Sequence, residues 1–297
     1  MATIQATARS HPIRKPHRLL LGRAGRRLTS LGLMLIAALG SVLFVIPLAW
    51  MISTAGKRGD LVWVVPPVWI PPDYRWANFV ESWQILPFTV FYFNTIKVTT
   101  LTVVGVLVSS SLAAFAFARL RFPGRGVLFL IVLSTMMLPW HVTIIPQYMF
   151  YSKLHWVNTH KPLWVQWWFG DAFSIFLLRQ FFMTIPLELD DAARIDGCSR
   201  FGTFWRILLP LSAPALAVVA IFEFTWSWNN FMGPVIYLDS IKLFTVALGL
   251  RLFQERAGTN VQYMMAQTVV FVLPVLIVFV IAQKRFIQGI VVSGVKG

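Results

Sequence analysis

The side chains able to do chemistry in this chain are few, and they fall into two groups. In the first, Asp171 and Glu223 lie inside long apolar stretches, with Lys97 inside a third. A charge at the centre of a bilayer-spanning helix costs roughly 2.5 to 3.5 kcal/mol on insertion scales, so each must face protein or water. Glu223, Trp226 and Asn230 recur at i, i+3 and i+7, one face of a helix, while Trp228 and Asn229 look elsewhere. Sugar rings stack on aromatic faces and hydroxyls need both donors and acceptors, so this set suits a path for a polyhydroxylated solute. The plainer alternative is that the tryptophans pack against neighbouring helices and the acids are paired or protonated inside a bundle. Lys97, near one end of its stretch, is expected to reach the interface with its amine.

The second group is the polar run Ile185 to Pro210, IPLELDDAARIDGCSRFGTFWRILLP, which holds Glu188, Asp190, Asp191 and Asp196. It predicts two short helices. Pro186 suits a first turn, and Glu188, Asp190 and Asp191 put negative charge at the positive end of the helix dipole. Gly197 fits the left-handed stop position, and Ser199 can cap the next helix. There Phe201, Phe204, Trp205 and Leu208 make one apolar face, ended by Pro210. The small Ala192 and Ala193 permit close approach of another protein surface, with Arg194, Arg200 and the acids at its rim. A solvated loop is the alternative. His141 has no partner at metal-ligand spacing, and no G-x-x-x-x-G-K-[ST] phosphate loop occurs.

The elements that must position these groups follow from composition. Of 297 residues, 57% are hydrophobic and only 12% charged, with a mean hydropathy of +0.70. A soluble fold has no way to bury that much apolar surface. A helix needs roughly 20 apolar residues to cross a bilayer. Six stretches qualify: 28–56, about 91–118, 126–150, about 163–183, 212–238 and about 261–283. All-helical is favoured over a barrel, whose strands would alternate in short segments. The single cysteine, Cys198, forms no intramolecular bridge.

Orientation follows from Lys and Arg, which are retained on the cytoplasmic side. The N-terminal segment and alternate loops hold 17 of the 26, the opposite loops hold 8, and Lys97 lies in a span. Both termini are therefore expected in the cytoplasm. The formal charge of +15 reads as topology, with attraction to acidic headgroups second, and argues against nucleic-acid binding. Residues 1–27 then form a basic cytoplasmic segment and 285–297 a cytoplasmic tail. Between the first two spans, 57–90 is a Pro- and Trp-rich external loop that dense proline should keep irregular to about Leu86.

At the polar run a specific resemblance appears. Asp191-Ala192-Ala193, three residues, Gly197, nine residues, then Ile207-Leu208-Leu209-Pro210 resembles the EAA loop of bacterial binding-protein-dependent ABC importer permeases, with Asp191 in place of the usual Glu. Phe176 to Phe182, Trp226-Ser227-Trp228-Asn229-Asn230, Arg121-Phe122-Pro123-Gly124-Arg125 and the Gly294-Val295-Lys296-Gly297 end are similar to carbohydrate-type permeases of the maltose-importer class. The likeness covers about Leu28 to Gly297.

It implies an all-α polytopic membrane protein with six transmembrane helices, the type I (MetI-like) permease fold, and a permease core over 91–284 with its coupling loop at 186–210. It further implies a second permease subunit, two copies of a cytoplasmic ABC ATPase that hold ATP and Mg, and an extracytoplasmic solute-binding protein. No cofactor is expected in this chain, which would be a transport subunit of the bacterial inner membrane and no enzyme. By the same resemblance Glu188, Asp190, Asp191, Ala192, Ala193, Arg194, Asp196, Gly197 and Arg200 contact the ATPase, and Gly294, Val295, Lys296 and Gly297 form a weaker second contact. Asp171, Glu223, Trp226, Trp228, Asn229 and Asn230 remain candidates for the substrate path. Two other classes compete: a proton-coupled secondary transporter using Glu223, Asp171 and Lys97, and a membrane enzyme with Glu223 and Asp171 as an acid/base pair.

Overall fold

The computed structural model describes residues 23–256 and 260–294, with side chains over 29–252 and 260–282. Among the described residues all regular structure is helical. In chain order the α-helices are α1 (Arg23–Ala55), α2 (Ala77–Ile85), α3 (Phe88–Arg119), α4 (Arg125–Ser134), α5 (Trp140–Lys153), α6 (Lys161–Trp164), α7 (Ala172–Thr184), α8 (Glu188–Ile195), α9 (Arg200–Thr203), α10 (Leu209–Leu211), α11 (Ala213–Trp228), α12 (Met232–Tyr237), α13 (Val246–Arg256) and α14 (Val261–Gly294). The chain divides into residues 1–50, holding most of α1, and residues 51–297, holding the rest.

Three helical stretches are long and apolar enough to cross a membrane unaided: Thr29–Ala55, Phe88–Arg119 and Val261–Ala282. The other expected spans are broken. Between α4 and α5 the chain bends by 98°, because Pro139 disfavours helical geometry in the residue before it and Leu138 turns extended, at φ −82° and ψ 113°. The fourth expected span is helical in α7 only from Ala172, after a 3-10 turn over Val165–Phe169 and a positive φ of 98° at Gly170. The fifth ends at Trp228 rather than at Leu238, and Asn229 to Phe231 separate it from α12. Glu223, Trp226 and Asn230 therefore do not share one helix face, since Asn230 lies beyond the helix. Nor is the external loop irregular throughout. No proline falls between Pro72 and Pro87, which leaves Ala77–Ile85 free to form α2.

The bundle is organised on α3. One core cluster joins Val106, Ala114 and Phe115 of α3 to Leu178 and Phe182 of α7, to Phe204 and Leu208, and to Val219 of α11. Lipid tails are as apolar as leucine, so close packing and polar contacts between helices hold such a core together. Small side chains on α3 let its neighbours approach. A Cβ at Gly105 would meet Trp168 Cδ1 at 2.4 Å, and Trp168 Nε1 donates to the Leu101 carbonyl at 3.0 Å. Ser109 Oγ donates to the Trp167 carbonyl at 3.2 Å.

At the other end of α3, Asn94 Nδ2 donates to the carbonyls of Lys242 and Phe244, and Thr95 Oγ1 accepts from the Val246 N–H at 2.9 Å. The loop before α13 is thereby fixed to the bundle. α2 is tied to α14 by Gln267 Nε2 donating to Ser82 Oγ at 2.9 Å and by the Tyr263 hydroxyl donating to Glu81 at 2.6 Å. Gly105→Val should force Trp168 out of its seat at a cost of about 1–3 kcal/mol. A lower thermal midpoint in detergent is the expected readout, and an unchanged midpoint would show that this contact does not constrain the bundle.

Candidate functional site

The polar run folds as the two-helix unit its residues dictate. α8 opens with Glu188, Asp190 and Asp191 in its first turn, where the helix dipole favours them. It closes with the Cys198 N–H donating to the Ala193 carbonyl at 2.8 Å and the Gly197 N–H to that of Arg194 at 3.0 Å, a pairing made possible by a left-handed residue. Gly197 supplies it at φ +78°, and a Cβ there would meet nothing within 4 Å. Glycine is thus required by conformation and not by space. Ser199 Oγ accepts from the Gly202 N–H at 3.1 Å and caps α9.

Beyond α9 the structure departs from expectation. The helix does not stop at Pro210. It passes through a π-helical stretch, Phe204–Leu208, and bends by 76° at Ser212 into α11. The π turn splits the predicted apolar face: Phe204 and Leu208 are buried beside Phe115, while Phe201 and Trp205 are exposed. The alanine pair divides likewise, Ala193 facing the bundle and Ala192 outward. Outward with Ala192 lie Glu188, Asp191, Arg194, Asp196, Gly197 and Arg200, together with the apolar Leu187, Leu189 and Ile195.

A buried ion pair fastens this unit to α3. Arg119 Nε lies 3.3 Å from Asp190 Oδ2 with both side chains largely shielded, and Arg119 Nη2 donates to the Ile185 carbonyl at 2.7 Å. Burial pushes the Asp190 carboxyl above its ordinary 3.8, while Arg119 and then Arg194 pull it partway back. A raised carboxyl stabilises the fold below its unfolded-state pKa and loses that contribution as pH rises through the raised value. Once ionised, Asp190 depends on Arg119 to offset its lost hydration. The exposed Arg194 and Asp191, 3.4 Å apart, contribute little by comparison. Sequence reasoning counted Arg119 only as a topological charge, since nothing local links it to Asp190, 71 positions away.

The apolar-stretch acids are nearer each other than to Lys97. Asp171 caps α7, accepting from the Ser174 N–H at 2.7 Å, and its own N–H donates to Ser110 Oγ at 3.1 Å. Glu223 is buried, with Asp171 and Ser174 as polar neighbours. Lys97 is exposed on α3, on the side of His160.

The tryptophans part company. Trp228 is buried, stacked between Phe224 and Phe271 at 5.3 and 5.8 Å, and donates to the Phe271 carbonyl. Trp226 sits edge-on to Trp167 at 4.6 Å and lines a cleft of about 590 Å³. Asn229 and Asn230 share that cleft with Trp140, His141, Gln166 and Tyr237. Trp140, His141 and Gln166 are distant in sequence and come from α5 and the turn after α6, while Tyr237 comes from the neighbouring α12. Asn229 Nδ2 donates to the Thr225 carbonyl, and Asn230 Oδ1 accepts from the Gly233 N–H, so both amides are oriented by the turn that ends α11. Among the described residues no cluster of three or more His, Cys, Asp or Glu is arranged to hold a metal. Of the tail candidates, Gly294 closes the backbone of α14, and Val295, Lys296 and Gly297 lie outside the described residues.

Comparison with known proteins gives the family and the fold. A family model described as "Binding-protein-dependent transport system inner membrane component" matches residues 105–292. The probable ABC transporter permease protein YurM of Bacillus subtilis is 34% identical over 256 residues, 84% of this chain and 83% of that protein. The arabinooligosaccharides transport system permease protein AraQ of Halalkalibacterium halodurans is 34% identical, covering 82% and 86%. The sn-glycerol-3-phosphate transport system permease protein UgpE of Yersinia enterocolitica is 32% identical, covering 86% and 93%. In fold, the chain superposes with a TM-score of 0.78 at 23% identity on a chain from a bacterial ABC transporter involved in import of the acidic polysaccharide alginate, covering 89% of this chain and 98% of that one.

Removing one partner of a buried ion pair typically costs about 3–5 kcal/mol. Arg119→Met should therefore lower the thermal midpoint at neutral pH, and the deficit should shrink as pH falls and the stranded Asp190 takes up a proton. Adding Asp190→Leu should recover most of the loss. A deficit that does not respond to pH would mean that the charge on Asp190 is not what Arg119 neutralises.

Proposed function

Because this chain belongs to the binding-protein-dependent transport system inner membrane components, we propose that it is one of two permease subunits of an ATP-driven importer carrying a sugar or sugar-like solute. As a member of that family it is a transport component of the inner membrane and no enzyme. Two ATPase subunits, which bind ATP and Mg, would supply the energy, and an extracytoplasmic binding protein would deliver the solute. The orientation that keeps Lys and Arg inside puts both termini and the α8–α9 unit on the cytoplasmic side.

The observation that carries the coupling reading is the rigid mounting of α8. Its inner face is fixed to α3 through Arg119 and Asp190, and its outer face presents Leu187, Leu189 and Ile195 rimmed by Glu188, Asp191 and Asp196. A force applied to this face would reach α3 through the Arg119–Asp190 pair and, past the bend at Ser212, α11. Ala192 and Gly197 leave that face low enough for close seating, and Ala193 serves the internal side. The terminal Gly294 to Gly297 would be a second, weaker ATPase contact.

For the solute, the relatives named for arabinooligosaccharides, diacetylchitobiose and glycerol phosphate support a polyhydroxylated cargo. The cleft agrees in chemistry: Trp226 and Trp140 offer ring faces, while Gln166, Asn229 and Asn230 offer paired donors and acceptors. Asp171 and Glu223 belong to the path reading through their place beside α7. Trp228 supports it from behind by holding the end of α11 on α14. A proton-coupled mechanism would leave the family match unexplained.

Three outcomes are expected. Gly197→Arg should cut uptake about tenfold or more while leaving the subunit in the membrane, since the backbone strain is only about 1–2 kcal/mol and the added bulk enters open space. Normal uptake by this variant would remove α8 from the coupling path. Cys198, the sole cysteine and partly accessible, should react with a membrane-impermeant maleimide in inverted vesicles and stay unlabelled in right-side-out ones. The reverse pattern would overturn the orientation. A ligand screen of the cognate binding protein should return carbohydrates or polyols, and amino acids or metal ions alone would sink the cargo class.

A further inference from the structure

A basic cavity lies beside the α8–α9 unit and shares Leu187, Asp191, Arg194 and Arg200 with the proposed docking face. Its volume is about 480 Å³, and it opens between the end of α3, the start of α4 and the edge of α8 that carries Leu187, Asp191 and Arg194. Five arginines line it, Arg119, Arg121, Arg125, Arg194 and Arg200, against two carboxylates. Those carboxylates are already engaged, Asp190 with Arg119 and Asp191 with Arg194. Arg125 is steadied by donating to the Leu120 carbonyl at 3.1 Å, and Gly124, at φ +77°, makes the turn that brings it opposite Arg121. The pocket therefore carries three positive charges beyond its internal pairs.

Its surroundings identify what it fits. Within two turns of Arg125, α4 exposes Val127, Leu128, Leu130 and Ile131, so a guanidinium-lined pocket and an apolar helix surface adjoin along one element. A molecule with an anionic phosphate at one end and hydrocarbon at the other matches both, whereas a soluble phosphate or an acidic protein segment leaves the apolar half uncovered. We propose that this cavity seats the phosphate headgroup of an anionic phospholipid of the cytoplasmic leaflet, with its acyl chains along α4. Charge and guanidinium geometry both favour the phosphate, which accepts two parallel N–H bonds from one arginine. The bound lipid would brace α4 against α8 at the base of the coupling unit.

The proposal rests on the cytoplasmic placement of this loop. The assay is chosen to be independent of it: nanodiscs expose both faces, and Cys198 labelling decides the orientation separately. Full-length chain is reconstituted in phosphatidylcholine nanodiscs doped with phosphatidylglycerol, and the lipid retained by the purified chain is quantified by mass spectrometry. Wild type should retain phosphatidylglycerol over phosphatidylcholine. Arg121→Gln and Arg200→Gln, both at exposed positions, should each weaken retention roughly fivefold and together roughly thirtyfold, at about 1 kcal/mol per arginine. The paired Lys substitutions should keep most of it, and Arg206→Gln, an exposed arginine outside the cavity, should change nothing. Circular dichroism and thermal midpoint check that the double variant is folded; if it is not, Arg200→Gln alone carries the test. Equal retention of both lipids by wild type, or undiminished phosphatidylglycerol on the folded variants, would overturn the proposal. So would displacement of the lipid by inorganic phosphate, which assigns a free-phosphate site, or by the cognate ATPase, which assigns the cavity to the protein interface.

Discussion

The contact between Arg119 and Asp190 is the constraint on which the working end of this molecule depends. α8 and α9 are too short to hold helical structure in water unaided, and the outward side of α8 mixes Glu188, Asp191 and Arg194 with Leu189, Ala192 and Ile195. What orders them is attachment. Arg119, the last residue of α3, reaches the Asp190 carboxylate and the Ile185 carbonyl together, so a single guanidinium fixes the start of the unit while Phe204 and Leu208 anchor its end in the core. Ions in such a site attract strongly and are costly to strand, which makes the attachment specific.

That attachment matters because the bundle behind it is stiff. α3 runs unbroken for 32 residues, about 48 Å at 1.5 Å per residue, and carries α7, α11 and the loop before α13 on its small and polar side chains. The broken spans answer to it. Where α7 and α11 are too short to cross a bilayer of about 30 Å, the chain turns: at Gly170 and Asp171 before α7, and at Asn229 and Asn230 after α11. Turns inside a membrane leave backbone groups unpaired, and such backbone is tolerated where protein or a water-filled cavity receives it. Here the Ser110 hydroxyl, the Asp171 carboxylate and the two asparagine side chains receive part of it, and the aromatic cleft opens beside the second turn. The breaks that interrupt the spans are thus the places where polar side chains converge.

The proposed coupling would need two properties at once, a rigid lever and a cavity that can change shape. The continuous α3 supplies the first. The bends at Pro139 and Ser212 would be where helix segments reorient, and at Ser212 core contacts hold Leu208 on one side and Val219 on the other. The π stretch just before Ser212 is a recurrent feature of such functional joints.

Local chemistry was legible in the sequence wherever neighbours along the chain decide it. Gly197 as a left-handed stop, Ser199 as a cap and acids at the start of α8 depend on backbone geometry within a few residues, so residue type and order suffice. Apolar length likewise gave the three unbroken spans, and the all-helical membrane fold and its family followed from pattern and motif. Contacts between distant segments were not legible. Arg119 read as one more positive charge until folding set it against Asp190, and Trp226 and Trp228, two positions apart and alike in composition, were separated into cleft and core only by which helix each faces. Where a span breaks was not legible in hydropathy either, which registers only that a residue is apolar: α11 ends at Trp228, which folding seats against Phe271 of α14, and Asn229 and Asn230 close the turn after it.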